Sequence, residues 1–208
     1  MARFTNQAQL RYGDSVANSN IAVGEILEVL SATKTAVRKV YAQDDTVTYL
    51  ISVVNSGSVP LNGLTLEDNL GTYAFATTTL TPLSYVADTI NYYVNGVLQP
   101  KPTVTAGAPL TVSGLNIPAG GNALLVYETK PTEYAPLAEE SEITNTATIS
   151  GGGITPVNVK ESIQALSEPV LTITKSVSPV PVTENGTLTY TFLVQNNGNT
   201  AAAAGSAA

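Results

Sequence analysis

A set of short motifs occurs twice in this chain of 208 residues at a constant separation, and this repetition restricts the possible folds more than any other feature. Three motifs from the first third of the chain return 141 positions later. The pairs are Thr33-Lys-Thr35 with Thr174-Lys-Ser176, Thr46-Val-Thr-Tyr49 with Thr187-Leu-Thr-Tyr190, and Val53-Val-Asn-Ser-Gly57 with Val194-Gln-Asn-Asn-Gly198. A spacing that is kept over several motifs predicts one structural module in repeated copies.

A second repetition links the first residues of the chain to the end of that module. Phe4-Thr-Asn-Gln-Ala-Gln-Leu10 matches Ile143-Thr-Asn-Thr-Ala-Thr-Ile149, 139 positions later. The order along the chain is therefore the last strands of a module, one whole module, and the first strands of another. We call these parts the N-terminal hairpin (1–28), the central module (29–166) and the half-module (169–208).

The central module has the composition and punctuation of β-structure. Val, Ile, Thr and Tyr form short alternating runs, which Gly, Pro, Asn and Asp separate, and Asn95-Gly96 predicts a hairpin turn. The predicted strands are Leu30–Val37, Thr46–Asn55, Gly63–Glu67, Ile90–Val94, Leu110–Leu115, Ala123–Thr129, Ile143–Ser150 and Val157–Ala165. Such a succession of strands and turns predicts an all-β protein, an antiparallel sandwich of immunoglobulin-like type.

Composition excludes several classes of function. The chain has no Cys and no His, so the usual zinc, haem and iron–sulfur sites, disulfides and His-dependent catalytic pairs cannot form. The net charge of −7 without a basic cluster argues against nucleic acid as a partner, and no apolar run is long enough for a transmembrane helix. We therefore expect no cofactor, no metal, no membrane insertion and no enzyme that acts on an external substrate.

The two incomplete ends complement each other. A sandwich without its last strands has an unpaired edge, and an isolated hairpin is marginally stable in water. We therefore predict that residues 1–28 of one subunit complete the half-module of an identical neighbour, which gives a head-to-tail homopolymer. The alternative is that the chain belongs to a longer tandem array, as an adhesin stalk or a ligand-binding repeat module.

Four motifs resemble the DUF11 repeat domain of bacterial surface proteins. They are Thr-Lys-Thr, Val-Thr-Tyr-x-Ile-x-Val-x-Asn-x-Gly, Leu-Glu-Asp-Asn-Leu and Ile-Thr-Asn-Thr-Ala-Thr-Ile-Ser-Gly. The resemblance covers the central module and both partial ones. It implies a fibre subunit similar to pilus modules or spore appendages, located outside the cell on a bacterial cell or spore surface. The polar first residues, which lack a signal-peptide core, favour the spore setting.

The same resemblance implies Lys–Asn isopeptide bonds, which some pilus and adhesin modules form. Such a bond needs a neutral lysine amine and a protonated acid, and burial favours both. We expect Lys34 to bond to Asn145 with Asp68 as the acid, whereas Glu67 should point to the opposite face of its strand. The alternative is that these are ordinary strand and turn residues.

The repeat extends this hypothesis across subunits. Lys175 occupies the position of the module's lysine, and Asn6 occupies that of its asparagine. If the hairpin completes a neighbour's half-module, Asn6 of one chain meets Lys175 of the next, and the joint becomes covalent. Residues 201–208, which are rich in Ala, break the repeat, and the counterpart of the module's acid would fall one position beyond the sequence.

Overall fold

The computed structural model describes residues 2–26 and 28–203; Met1, Leu27 and 204–208, parts of the predicted hairpin and half-module, lie outside the described residues. Within that part of the chain the regular structure is β throughout, without a helix. The strands are β1 (Ala2–Asn6), β2 (Gln9–Tyr12), β3 (Ser15–Asn18), β4 (Ala22–Ile26), β5 (Leu30–Ala36), β6 (Val40–Tyr41), β7 (Val47–Asn55), β8 (Leu61–Asp68), β9 (Tyr73–Phe75), β10 (Thr78–Leu80), β11 (Leu83–Tyr85), β12 (Asn91–Val94), β13 (Val97–Leu98), β14 (Thr103–Thr105), β15 (Leu110–Ile117), β16 (Asn122–Pro131), β17 (Glu142–Ser150), β18 (Val157–Ala165), β19 (Leu171–Ser178) and β20 (Thr189–Asn196).

Two six-stranded sheets form the central module. The first sheet has the order β13-β12-β16-β7-β5, with β11 also paired to β16, and the second has the order β14-β15-β8-β17-β18-β6. Neighbouring strands are antiparallel apart from the short parallel pair of β18 and β6. Buried apolar side chains from both sheets form one core between Leu30 and Ala165. The predicted all-β antiparallel sandwich is confirmed.

Strand β7 illustrates why these segments become strands. Val47, Tyr49, Ile51 and Val53 alternate with partly buried residues, and all four face the core. Burying a side chain of this size contributes about 1.5–3 kcal/mol. A shift of one residue would turn all four toward solvent, so this alternation fixes the register of the sheet.

All eight strands predicted from the alternating runs are present. The predicted turn at Asn95 and Gly96 is also present, with φ values of 48° and 79°, as the tight turns of two-residue hairpins require. The sequence did not predict β6, β9, β10, β11 and β14, because strands of two or three residues are too short to show periodicity.

The terminal segments form two-stranded sheets outside the core. Strand β1 pairs with β4, β2 with β3, and β19 with β20. Their registers repeat those of the central module. Asn6 lies opposite Ala22 as Asn145 lies opposite Glu161, with a shift of 139 on both strands. Lys175 lies opposite Phe192 as Lys34 lies opposite Ile51, with a shift of 141, so β19 and β20 are structural copies of β5 and β7.

Hydrogen bonds at the end of β20 repeat those at the end of β7. The Asn55 Nδ2 amide donates to Val59 O at 2.9 Å, and the Asn196 Nδ2 amide donates to Thr200 O at 2.7 Å. The same side chains accept hydrogen bonds from Gly57 N at 3.0 Å and Gly198 N at 2.9 Å. The similarity between the half-module and the first strands of the central module therefore includes side-chain detail.

The chain enters and leaves the central module at opposite ends. The start of β5 lines the same cavity as residues 152–157, which connect β17 to β18. The end of β18 lies at the other end of the sandwich, where Ala165 pairs with Tyr41 beyond the last residue of β5. The N-terminal hairpin and the half-module are therefore attached to opposite ends of the sandwich.

Candidate crosslinking site

A buried ion pair lies inside the sandwich. Lys34 is on β5, and its side chain has no solvent exposure. Its Nζ lies 2.6 Å from Oδ2 of Asp68, the last residue of β8, which is equally buried. A lysine at this position faces the core because Leu30 and Ala36, on the same face of β5, are also buried. Glu67 is exposed, as strand alternation predicts.

Both carboxylate oxygens of Asp68 are engaged. Oδ1 accepts a hydrogen bond from the backbone N–H of Leu70 at 2.8 Å, in a turn where Leu70 has a φ of 54°. Oδ2 accepts hydrogen bonds from Lys34 Nζ and from the hydroxyl of Tyr127. These contacts hold the carboxyl group in one orientation.

Asn145 is buried, with 0% exposure, on the core-facing side of β17. Neither its Oδ1 nor its Nδ2 has a hydrogen-bond partner. A buried polar group without a partner costs about 1–3 kcal/mol. Asn55, which is also buried, contrasts with it, because its amide donates to Val59 O and Pro118 O. Buried polar groups in native proteins are nearly always hydrogen-bonded, so an unpartnered amide inside a packed core needs an explanation.

The strand pairing places this amide beside the ion pair. Ala147 of β17 lies directly opposite Asp68 of β8, and Asn145 is two residues away on the same face. Lys34 belongs to the other sheet. A Lys34–Asn145 bond would therefore cross the core from sheet to sheet, and would not join adjacent strands of one sheet.

Two stacked tyrosines enclose the ion pair. The rings of Tyr49 and Tyr127 lie 5.8 Å apart at an angle of 25°, and Lys34 Nζ lies 4.8 Å from the centre of the Tyr49 ring. The Asn145 amide is near enough to the Tyr49 hydroxyl to lower its pKa slightly against the effect of burial, but the two groups do not reach hydrogen-bond geometry. The Tyr49 hydroxyl thus has no partner, whereas that of Tyr127 bonds to Asp68.

Burial changes the acid–base properties of these groups. Desolvation lowers the pKa of Lys34 to about 8, and the charge and hydrogen bond of Asp68 oppose this shift. Burial and then the charge of Asp68 raise the pKa of Tyr49 and Tyr127. A lysine of lowered pKa gives up its proton more readily than an exposed lysine does.

The two residues predicted for the joint between subunits lie apart. Asn6 belongs to the sheet of β1 and β4, and Lys175 belongs to the sheet of β19 and β20. Lys175 Nζ lies 4.3 Å from the centre of the Tyr190 ring and 5.4 Å from that of Phe192. The contact with Tyr190 matches the contact between Lys34 and Tyr49, which occupy the equivalent positions.

Sequence reasoning did not identify Tyr127 as part of the site. Its one signal was its place in a predicted strand, at a position that alternation assigns to the core. Among the described residues, no group of His, Cys, Asp and Glu could hold a metal ion. No helix in that part of the chain has the length and apolar character needed to cross a bilayer.

Comparison with known proteins identifies the fold. No protein-family model and no curated protein sequence matches the chain, so the DUF11 resemblance depends on the motifs alone. An Asp-to-Ala variant of BcpA, the major pilin subunit of Bacillus cereus, is similar in structure, with a TM-score of 0.53 and 10% identity over 93% of this chain and 63% of the pilin.

Two further pilins are similar at lower scores. The full-length major pilin SpaD of Corynebacterium diphtheriae has a TM-score of 0.43 and 17% identity over 71% of this chain and 37% of SpaD. The pilus backbone RrgB of Streptococcus pneumoniae has a TM-score of 0.45 and 12% identity over 58% of this chain and 31% of RrgB. The chain thus spans about one third to two thirds of the length of these pilins. The similarity to BcpA shows the fold alone, and it confirms the immunoglobulin-like sandwich.

Proposed function

We propose that this protein is a structural subunit of an extracellular bacterial fibre, such as a pilus or a spore appendage, on the cell or spore surface. Identical chains assemble head to tail when the N-terminal hairpin of one chain completes the half-module of the next. The protein catalyses only the formation of its own Lys–Asn isopeptide bonds, and it acts on no external substrate.

The observation that carries this proposal is the exposure of side chains whose counterparts form a core. Phe4 in the N-terminal hairpin is 55% exposed, whereas its counterpart Ile143 is 2% exposed. Phe192 in the half-module is 55% exposed, whereas its counterpart Ile51 is 0% exposed. Each terminal segment thus has an exposed apolar face. In the central module, the strands equivalent to the hairpin and those equivalent to the half-module cover each other's apolar faces. Covering one such side chain contributes about 1.5–3 kcal/mol.

The position of the segments favours assembly between chains. The hairpin and the half-module are attached at opposite ends of the central module, so each meets its complement on another copy. Because the two contacting surfaces differ, the contact is heterologous, and it extends to a filament when the rotation between subunits does not close a ring. The pilin-like fold of the central module is consistent with this role.

Inside the central module, the site supports formation of an amide bond. The Lys34 ammonium passes a proton to Asp68 across 2.6 Å, and the neutral amine attacks Cγ of Asn145. The protonated carboxyl group polarises the carbonyl group that is attacked. The Nζ–Cγ bond forms, the Cγ–Nδ2 bond breaks and ammonia leaves. Of the three ammonium protons, one stays on the new amide, one leaves in ammonia and one remains on Asp68.

At the joint, the equivalent bond would connect Asn6 to Lys175 of the neighbour. Both residues are exposed in the single chain, so their burial begins only on docking. In the repeat, the position that matches Asp68 is 209, one beyond the sequence. An aspartate at that position would complete the trio with Lys175 and Asn6.

Intact mass under denaturing conditions tests both bonds. The wild-type chain should weigh one ammonia less than its sequence predicts, and Asn145→Ala should abolish this loss. Lys34→Ala should also abolish it, although that variant leaves Asp68 unpaired in the core and is the less stable of the two. Covalent oligomers that lose one further ammonia per joint, and that disappear in Lys175→Ala, would establish the second bond.

Assembly is tested separately by sedimentation of native protein. Full-length chains should associate, and deletion of residues 1–28 should leave monomers that retain the internal bond. An unmodified mass would refute the isopeptide chemistry. Monomers of the full-length chain would refute the fibre subunit and would favour the alternative of a stalk or ligand-binding module in a longer surface protein.

A further inference from the structure

We infer that the N-terminal hairpin carries residues that direct it to the half-module of another copy and away from that copy's central module. This inference rests on the proposed head-to-tail assembly and specifies the partner of the hairpin. The question arises because β1 and β4 share the register of β17 and β18. A hairpin with that register could displace β17 and β18 of a neighbour by domain swapping.

The first selective feature is an ion pair of the central module that the hairpin cannot form. In the central module, Lys39 forms an ion pair and hydrogen bond with Glu161 of β18. The counterpart of Glu161 in the hairpin is Ala22, and the counterpart of Lys39 in the half-module is Val180. Both partners have changed together from charged to apolar. On a central module the hairpin would leave Lys39 without its carboxylate, whereas on a half-module Ala22 meets Val180.

The second feature is a cross-strand pair with exchanged sizes. Ile143 and Ile163 lie directly opposite each other and are both buried. At the same place in the hairpin, Phe4 lies opposite Gly24. The Phe4 ring covers Gly24 so closely that a Cβ atom there would overlap it. The hairpin thus presents one flat ring where the central module has two branched side chains.

The half-module has changed in the complementary direction. Strand β5 packs against β18 in the central module, and Ala32 and Ala36 are on its inward face. In the half-module these positions are Ile173 and Val177, which are larger. Phe4 and Gly24 together have less side-chain volume than the two isoleucines, and Ile173 and Val177 make up part of this difference when the hairpin docks. Docked on a central module, the same hairpin would leave a gap over the two alanines, and buried gaps are destabilising.

A charge exchange tests the inference. All chains carry Asn6→Ala, so that crosslinking at the joint does not obscure the equilibrium, and association is measured by sedimentation at several concentrations. Val180→Lys and Ala22→Glu should each weaken association about fivefold, and the double variant, which recreates the Lys39–Glu161 pair, should return to within about twofold of its parent. Val180 is 75% exposed and Ala22 is also exposed, so neither change affects the folding of the single chain.

Val23→Glu is the matched control, because Val23 is 62% exposed on the other face of β4 and should leave association unchanged. The inference is supported if the double variant, and neither single variant, associates as strongly as the parent. Association of the double variant no stronger than that of the weaker single variant overturns it and leaves the fibre proposal intact. Failure of the parent chains to associate, while the full-length wild type does so only through covalent joints, overturns it as well. If the parent and the full-length wild type both remain monomeric, the fibre proposal is overturned as well.

Discussion

Replacing Asn145 by alanine should have effects of opposite sign in a crosslinked and in an uncrosslinked protein. In the uncrosslinked chain, the amide of Asn145 is buried and both of its polar atoms lack partners. Its removal relieves about 1–3 kcal/mol of desolvation cost, partly offset by a small cavity. Without the bond, the variant should therefore be as stable as the wild type or up to about 2 kcal/mol more stable.

With the bond, the same substitution removes a covalent constraint. The bond would close a loop of about 110 residues between Lys34 and Asn145. The chain-entropy relation for disulfides gives about 4.7 kcal/mol for a loop of this size. At roughly 2–4 °C per kcal/mol for a chain of this length, Tm should fall by roughly 10–20 °C. In the variant, Lys34 and Asp68 pair with each other, so no buried charge is left unpaired and loss of the bond is the main cause of the fall.

Calorimetry and denaturant unfolding of the wild type and Asn145→Ala show whether the substitution raises or lowers the stability. Asn55→Ala is the matched control, because Asn55 is equally buried but donates to Val59 O at 2.9 Å and to Pro118 O at 3.0 Å. It should cost about 2–4 kcal/mol and leave the loss of ammonia unchanged. An Asn145→Ala protein that matches or exceeds the wild type in stability would refute the crosslink, whatever the effect of the control.

Two further predictions concern the same site, and a third concerns Gly71 in the turn that follows Asp68. In Asn145→Ala, the free energy of unfolding should rise from pH 8 to about 10, because burial lowers the pKa of Lys34 to about 8 in the folded chain. Over this range the unfolded chain holds a proton on Lys34 that the folded chain has lost, so raising the pH favours the folded state. The crosslinked wild type, whose Lys34 would be an amide, should show no such rise in denaturant titrations. Tyr127→Phe should lower the free energy of unfolding by about 1.5–3 kcal/mol, because its hydroxyl bonds to a buried carboxylate, whereas Tyr49→Phe should be nearly neutral, and equal costs in chemical denaturation would contradict this assignment. Gly71→Ala should destabilise the module by at least about 1 kcal/mol in the same assay, because its φ is 73° and its Cβ would lie 2.5 Å from a neighbouring methyl group; wild-type stability would show that the turn adapts.

The repeats made much of the fold predictable. Long strands with period-two alternation, such as β7 and β17, were predicted close to their observed bounds, because burial of one face leaves a clear signal. The constant offsets also anticipated the shared registers of β19 and β20 with β5 and β7. Registers are transferable between copies because the same inward positions must stay inward.

The composition of the site was only partly predictable. Lys34, Asp68 and Asn145 came from a resemblance, which carries no information on hydrogen bonds. The unpartnered state of the Asn145 amide and the contact of Tyr127 with Asp68 depend on how two sheets pack face to face. No local periodicity encodes such a relation, since it joins side chains that lie far apart in sequence.

The site has a physical logic that also applies to the joint. Burial penalises the lysine charge and leaves the asparagine amide without partners, and the proposed reaction would relieve both costs. Burial would therefore both activate the amine and favour the bond. At the joint, Asn6 and Lys175 are exposed until two chains dock, so neither side chain is desolvated in the single chain. A crosslink of this kind would form only where the hairpin is seated correctly, so the chemistry itself would distinguish correct assembly from chance contact.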